Sequence, residues 1–300
     1  MLKIAYHPIY QHPLPEGHRF PMEKYELLPK QLLHEGTCIP DNFFTPEIPS
    51  NTYLLKVHTK NYIENFQKLN LTKKEIRKVG FPLSKELVKR EVIIADGTLK
   101  ATNYALQYGI AMNIAGGTHH AYSDHGEAFC MLNDQAIGAA YLKANNIVNK
   151  ILIVDLDVHQ GNGTAEIFKK DQSVFTFSMH GASNYPFKKE KSDLDIALPK
   201  GTTDQDYLET LYKTLPKLIE QVQPEFIYYL CGVDILATDK LGTLACSMAG
   251  CKERDRYVLE NCLKRNIPVM CSMGGGYSPH IKTIIEAHAN TFRTAQHLYF

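Results

Sequence analysis

The chain has 300 residues, in which 33 Lys and Arg stand against 32 Asp and Glu, so the formal net charge is +1. This near balance argues against a protein that coats nucleic acid through its overall charge. Apolar residues make up 44% of the sequence, which is typical of a chain with a hydrophobic core and too high for a disordered one. No apolar run approaches the ~18 residues that cross a membrane, and residues 1–8 lack the apolar segment of a signal peptide.

The seven cysteines are odd in number and form no Cys-x-x-Cys motif. We therefore expect reduced thiols in the core of an intracellular protein, in the cytoplasm or, for a eukaryotic source, also the nucleus. No repeat, low-complexity segment or Gly/Ser linker interrupts residues 1–300, which favours a single domain. No sequence feature indicates the oligomeric state.

Short apolar, β-branched runs alternate with longer amphipathic segments along the chain. This alternation predicts an α/β fold with one parallel sheet between layers of helices. The clearest helix is Asp204–Gln221, which follows a capping signal at Thr203 and Asp206 and should be kinked by Pro216. The predicted strands are Leu2–Tyr6, Val92–Ala95, Met112–Ala115, Ile151–Asp155, Val174–Ser178, Phe226–Leu230 and Val269–Met273.

Two segments depart from this pattern. Residues 68–90 contain eight basic residues against two glutamates; a solvated helical surface and a patch for acidic partners both fit this composition. Residues 12–21 contain three prolines and a glycine, so they form a loop. Their His, Arg and Phe side chains suit the rim of a pocket, although a purely structural loop fits equally well.

Polar residues directly follow the ends of five predicted strands. In a parallel sheet the carboxyl ends of the strands lie at one edge, where ligands bind. We therefore expect the active site at this edge. The segments concerned are 116–120, 155–163, 179–181, 232–234 and 274–277.

Asp157 and His159 are two residues apart in an extended segment, so their side chains point the same way. Asp234 would arrive from another strand end. One imidazole and two carboxylates with an open position are typical of a catalytic zinc site, and Fe²⁺ or Co²⁺ accept the same ligands.

Asp155 faces the same way as Asp157, and as a buried carboxylate it needs a partner. It could orient an imidazole of the His119-His120 pair, which we interpret as acid and base groups beside a metal-bound water. Asn162 could accept a hydrogen bond from the second imidazole without adding a charge.

The run from Gly274 to Gly276 suits a backbone that turns tightly beside a ligand. Tyr277, which follows it, either packs outside the turn or donates its O–H to the oxyanion of an attacked carbonyl.

Together these segments resemble the zinc-dependent histone deacetylases and their bacterial relatives, on the arginase/deacetylase fold. Gln160, Asn162 and the proline-rich loop look most like the class IV branch. The matching motifs occur in family order over essentially the whole chain, at 116–121, 129–134, 155–163, 231–234 and 274–277.

The resemblance implies roles for individual residues. Asp157, His159 and Asp234 become the ligands of Zn²⁺, with Fe²⁺ as the alternative ion. His120 becomes the general base and acid, with His119 as its electrostatic helper. The remaining roles are polarisation of the acyl carbonyl by Tyr277, pocket walls at Phe129 and Tyr185, substrate contact at Gly275, and a structural K⁺ or Na⁺ site at Asp155, Ser178 and Met179.

The implied reaction is amide hydrolysis that removes an acetyl or longer acyl group from lysine side chains of proteins or peptides, which could include histones. Class I members have aspartate where Asn162 stands, and many members have glycine where Ala128 stands. No direct nucleic-acid or membrane contact is expected.

Three alternatives differ in chemistry. A binuclear manganese ureohydrolase on the same fold needs further acids where Asn162 and Leu236 stand. A deacylase of small acylated amines, such as acetylpolyamines, would share every reacting group. A catalytically silent acyl-lysine-binding protein should lack a ligand, an imidazole or the tyrosine, and none is missing.

Overall fold

The computed structural model describes all residues from 1 to 300. Eight strands form one sheet in which every neighbouring pair is parallel. The order across the sheet is β2-β1-β3-β8-β7-β4-β5-β6. The strands are β1 (Lys3–Ala5), β2 (Phe43–Phe44), β3 (Ile110–Asn113), β4 (Ile151–Asp155), β5 (Val174–Gly181), β6 (Leu194–Leu198), β7 (Phe226–Leu230) and β8 (Val269–Ser272).

Ten α-helices flank the sheet, and two short 3₁₀ turns lie at Pro8–Tyr10 and Pro40–Asn42. No helix is both long enough and apolar enough to cross a membrane. The helices are α1 (Lys24–His34), α2 (Leu54–Val57), α3 (Lys60–Gln67), α4 (Lys73–Val79), α5 (Lys85–Tyr108), α6 (Asp134–Ala144), α7 (Asn162–Phe168), α8 (Asp204–Val222), α9 (Met248–Lys264) and α10 (Ile281–Tyr299).

The sheet and its helical layers confirm the predicted α/β architecture. Helix α5 packs on β1, β3 and β8, and α6 packs on α5. Helices α8, α9, α10 and α1 pack on one another in that order. The central strands β3, β4, β7 and β8 are buried along their whole length, as expected for parallel strands that helices cover.

The predicted strand at Val92–Ala95 is wrong, because these residues lie inside helix α5. This helix is buried over most of its circumference, so its apolar residues form a continuous run instead of one stripe. Such a run has no clear periodicity, and a buried strand and a buried helix then look alike in sequence. The left-handed Gly109 ends the helix, and β3 begins at the next residue.

Helix α8 matches the predicted span to within one residue and continues past Pro216 to Val222. A proline lacks the N–H that would bond the carbonyl four residues earlier, here that of Tyr212. The hydroxyl of Tyr257 on α9 donates to this carbonyl at 3.3 Å. Thr203 is the N-cap residue, but its side chain makes no capping hydrogen bond.

Candidate active site

The side chains of Asp157, His159 and Asp234 meet just beyond the carboxyl ends of β4 and β7, two neighbouring strands. Nδ1 of His159 lies 3.0 Å from Oδ1 of Asp157 and 3.2 Å from Oδ2 of Asp234. One ligand atom from each residue lies within 4.8 Å of the other two, and all three residues are buried. The structure thus brings together the three predicted metal ligands.

The donor atoms of this cluster fit a divalent cation. Oδ2 of Asp234 is buried and accepts no hydrogen bond, a costly state for a carboxylate oxygen unless a cation binds there. The second oxygens are held by backbone groups: Val158 donates to Oδ1 of Asp234 at 3.0 Å, and Gly275 donates to Oδ2 of Asp157 at 2.8 Å. Two fixed carboxylates and one imidazole are a common donor set for a catalytic metal.

The same geometry perturbs the pKa of each potential ligand in the metal-free protein. Burial lowers the pKa of His159, but the neighbouring carboxylates of Asp157 and Asp234 outweigh it and raise this pKa to about 10. Burial and the charge of Asp157 raise the pKa of Asp234 to about 7. A cation must therefore displace protons when it binds.

The tandem imidazoles lie beside this cluster, with ring centroids 4.1 Å apart. Nδ1 of His119 lies 2.6 Å from Oδ2 of Asp155, and Nδ1 of His120 lies 2.5 Å from Oδ1 of Asn162. Because both partner oxygens are acceptors, each Nδ1 carries the proton. Nε2 of a neutral His120 is then free to accept a proton.

The two imidazoles titrate in opposite directions. Burial and the positive charges of His119 and His159 lower the pKa of His120 well below its usual value. Burial also lowers the pKa of His119, but the charges of Asp155 and Asp157 outweigh it, so this pKa is raised. This separation favours a neutral His120 beside a protonated His119.

Tyr277 lines the pocket beside these groups, and its ring centroid is 6.5 Å from that of His159. Its backbone N–H donates to Oδ2 of Asp239 at 2.6 Å, which fixes the residue after the glycine run. Burial and the charges of Asp234 and Asp157 raise the pKa of Tyr277 well above its usual value, so its O–H stays a donor at neutral pH. A Cβ on Gly275 would overlap Oδ2 of Asp234, which explains the glycine.

The pocket that leads to these groups has a volume of about 430 Å³, and its residues include Phe129, Tyr185 and Gly275. The ring of Tyr185 meets that of His120 edge-on, with centroids 5.2 Å apart. Phe129 has a left-handed φ of 67°, as does Ala128 at 44°. Phe129 and Tyr185, the two predicted wall residues, thus both line the pocket.

The proline-rich loop forms part of the rim, in agreement with one of its two predicted interpretations. Arg19 and Phe20 line the pocket, and the ring of Phe20 packs edge-on against Phe129, with centroids 5.2 Å apart.

The basic segment 68–90 forms α4 and the start of α5, where Arg90 is buried and the other seven basic side chains are exposed.

The predicted monovalent-cation residues lie on β4 and β5, where Asp155 pairs with Ser178 and Met179 follows. Both oxygens of Asp155 already have partners, His119 and the N–H of Asp157. Oγ of Ser178 pairs with Nδ1 of His180 at 2.9 Å. No unpartnered oxygen marks a cation here, so this site stays a prediction.

Sequence reasoning missed Lys24, which is buried behind the glycine run. Its ammonium donates to the carbonyl of Gly274 at 2.9 Å and lies over the ring of Tyr277, 5.9 Å from its centroid. Burial lowers its pKa to about 8. The spacing of Lys24, Leu28 and Leu32 contains the signal, because it places the lysine on the buried face of α1.

Comparison with known proteins identifies relatives over most of the chain. Residues 18–292 match the histone deacetylase domain. An uncharacterised protein of Picosynechococcus sp. is 43% identical over 296 residues, 99% of each chain. Histone deacetylase 2 of Arabidopsis thaliana is 32% identical over 272 residues, which cover 87% of this chain and 70% of that protein.

A more distant relative is the acetoin utilization protein AcuC of Staphylococcus aureus strain MSSA476, which is 26% identical over 90% of this chain and 75% of that one. The crystal structure of the HDA15 HD domain superposes with a TM-score of 0.82 at 18% identity, over 99% of this chain and 88% of that one. This likeness establishes the arginase/deacetylase fold. Fold and site together define a hydrolase of the deacetylase type. The chain belongs to the histone deacetylase family.

Proposed function

We propose that this protein is a Zn²⁺-dependent deacylase that hydrolyses the amide of acetyl-lysine or longer acyl-lysine side chains in proteins or peptides. The observation that supports it most is the arrangement at the base of the pocket. Asp157 and His159 of the buried carboxylate–imidazole–carboxylate cluster line one cavity together with the imidazole of His120 and the phenol of Tyr277. Amide hydrolysis needs these three functions together.

Asp157, His159 and Asp234 would hold the metal, with Fe²⁺ as the alternative ion. When bound, the ion would supply Lewis-acid polarisation of the acyl carbonyl and of water. The rest of the chemistry falls to protein side chains. Nε2 of His120 takes the proton of the attacking water, and the C–N bond breaks as that proton passes to the lysine amine.

Two further groups stabilise the charge that develops during attack. Tyr277 donates its O–H to the oxyanion that forms from the acyl carbonyl. Asp155 stabilises the protonated form of His119, which would add positive charge beside His120; the two ring centroids are 4.1 Å apart. Phe129 and Tyr185 enclose the aliphatic stem of the lysine and exclude water.

We extend the proposal to the organisation of the chain. One hydrophobic cluster of 78 buried residues extends from Leu2 to Ala295, which supports a single catalytic domain over residues 1–300. All seven cysteines are buried and unpaired, which supports an intracellular location, cytoplasmic or nuclear.

We also propose that the protein belongs to the class IV branch, with the asparagine at Asn162 as support. We retain the proposal that K⁺ or Na⁺ binds at Asp155, Ser178 and Met179.

Hydrolysis of a fluorogenic lysine-peptide panel, from acetyl to myristoyl, tests the proposal when Zn²⁺- and Fe²⁺-loaded protein are compared. We expect turnover that collapses in His120→Ala and in Tyr277→Phe, with the metal content of both variants unchanged. Turnover of acetylpolyamines but of no lysine peptide would move the assignment to small acylated amines. Tight metal binding without any turnover would favour an acyl-lysine-binding protein.

A further inference from the structure

A groove on the surface adjoins the mouth of the pocket. It lies between residues 11–15 and 17–23 on one side and residues 240–241 and 277–279 on the other. Four residues, Arg19, Phe20, Leu241 and Tyr277, line both the groove and the pocket. A substrate that inserts its acylated side chain into the pocket would therefore lay its neighbouring residues along the groove.

Arg19 stands where the groove and the pocket join. The residue is exposed, and its guanidinium lies over the ring of Phe129, 5.0 Å from the centroid. No carboxylate oxygen lies within 4.0 Å of this guanidinium, and it donates no hydrogen bond within the chain. Its five N–H donors remain available, and their planar fork matches a carboxylate.

The charged residues that line the groove give its lining a net positive charge. Lys240 is exposed and forms no ion pair, and Glu23 is the one carboxylate that lines the groove; the exposed Glu16 belongs to the same loop but does not line it. The nearby Asp239 is occupied by the protein itself, since it accepts backbone hydrogen bonds from Leu241, Gly242 and Tyr277. The groove lining thus contains two basic side chains, Arg19 and Lys240, and one acidic side chain, Glu23.

We infer that the groove binds the polypeptide next to the acyl-lysine and that Arg19 selects substrates with a carboxylate side chain there. This inference rests on the proposed function. It also names the substrate class, because a free cationic polyamine would meet the unpaired charge of Arg19 at the pocket mouth. Polypeptide substrates with acidic residues near the modified lysine should be preferred.

Binding of labelled acetyl-lysine peptides to Zn²⁺-loaded protein, measured by fluorescence anisotropy, tests this inference without requiring turnover. The peptides carry Glu, Gln or Lys within two residues of the acetyl-lysine, on either side. We expect the Glu peptide to bind about tenfold more tightly than the Lys peptide. Arg19→Glu should reverse this order, and Arg19→Lys should retain it.

Arg77→Glu is the matched control, because Arg77 is an exposed arginine of α4 that lines neither cavity. It should leave the order of the three peptide affinities unchanged.

Where peptides turn over, Arg19→Glu should change KM and leave kcat nearly unchanged. Equal binding of the three peptides, an Arg19→Glu variant with the native order, or stronger binding of N-acetylputrescine than of the Glu peptide would overturn the inference. Ordered binding without hydrolysis would contradict only the proposed function.

Discussion

Nδ1 of His120 donates to the amide oxygen of Asn162 at 2.5 Å, whereas Nδ1 of the adjacent His119 is 2.6 Å from a carboxylate oxygen of Asp155. The amide binds the ring without contributing charge. Burial and the positive charges of His119 and His159 lower the pKa of His120, and the hydrogen bond with Asn162 offsets them only in part because the amide carries no negative charge. These two partners thus distinguish a proton acceptor, His120, from an imidazole whose positively charged form is stabilised, His119.

Asn162→Asp should shift the acidic limb of the kcat/KM profile to higher pH. A carboxylate beside Nδ1 raises the pKa of His120, and the base works only when neutral, so activity at low pH is lost. We expect a shift of about one pH unit or more. Asn162→Ala is the control, since it removes the hydrogen bond without adding charge and should lower kcat with no such shift. An unchanged limb in Asn162→Asp would argue against His120 as the base.

Tyr277→Phe should lower kcat by about 10²–10³, the usual effect of removing one oxyanion donor. KM should change little, because the phenol donates mainly to charge that forms in the transition state. Steady-state kinetics, with metal content measured in the same samples, checks both statements. A variant that retains its kcat would place Tyr277 outside the chemistry.

Metal affinity should rise with pH from 6 to 9. In the metal-free protein His159 has a pKa of about 10 and Asp234 a pKa of about 7. Both groups must lose their protons to bind a cation, so each displaced proton adds a factor of up to about ten per pH unit. Competition of Zn²⁺ with a chelator at several pH values measures this slope. A flat profile, after correction for the chelator, would contradict the assignment of His159 as a ligand.

Gly275→Ala should abolish metal binding, because the added methyl would occupy the position of Oδ2 of Asp234. Gly201→Ala is a suitable control: Gly201 has a left-handed φ of 79° with open space around it. The control should cost about 1–2 kcal/mol of stability from backbone strain and leave metal binding intact. Titration with Co²⁺, followed by its absorption spectrum, distinguishes the two variants. Normal binding by Gly275→Ala would contradict the described geometry.

Arg254→Met should destabilise the protein and weaken metal binding, although Arg254 touches no ligand. Its buried guanidinium donates to the carbonyls of Leu156 and Gly232, close to the ligands in sequence, and pairs with the buried Asp255. Removing one partner of a buried ion pair costs about 3–5 kcal/mol.

Urea unfolding and the Co²⁺ titration measure the two effects of Arg254→Met. Arg256→Met, which breaks only exposed or partly exposed ion pairs of α9, should cost less than about 1 kcal/mol. Comparable losses in the two variants would refute the special role of Arg254.

Most of the reacting groups follow from the sequence because they directly follow apolar strand segments. Asp157, Asp234 and Tyr277 belong to this group, since the topology of a parallel sheet brings the ends of its strands to one edge. The resemblance to a known family then assigned roles that strand ends alone do not define.

Other parts of the structure did not follow from the sequence, for physical reasons. Lys24 reaches the site from a helix distant in sequence, and its buried ammonium is stabilised by a hydrogen bond to the carbonyl of Gly274, a partner that sequence spacing does not reveal. Strand β6 (Leu194–Leu198) lies at the sheet edge and is only partly buried, so its apolar signal is weak. Val92–Ala95 shows the opposite problem, in which complete burial hides the helical period.

The backbone of the pocket wall is attached to a surface helix. The N–H of Phe129 donates to the carbonyl of Val79 at 2.6 Å, and the N–H of Ala128 donates to that of Lys78 at 3.0 Å, both near the end of α4. A shift of α4 therefore moves one side of the channel through which the acyl-lysine must pass. Homologues with identical reacting side chains can in this way evolve different acyl-chain preferences through substitutions on an exposed helix that never contacts the substrate.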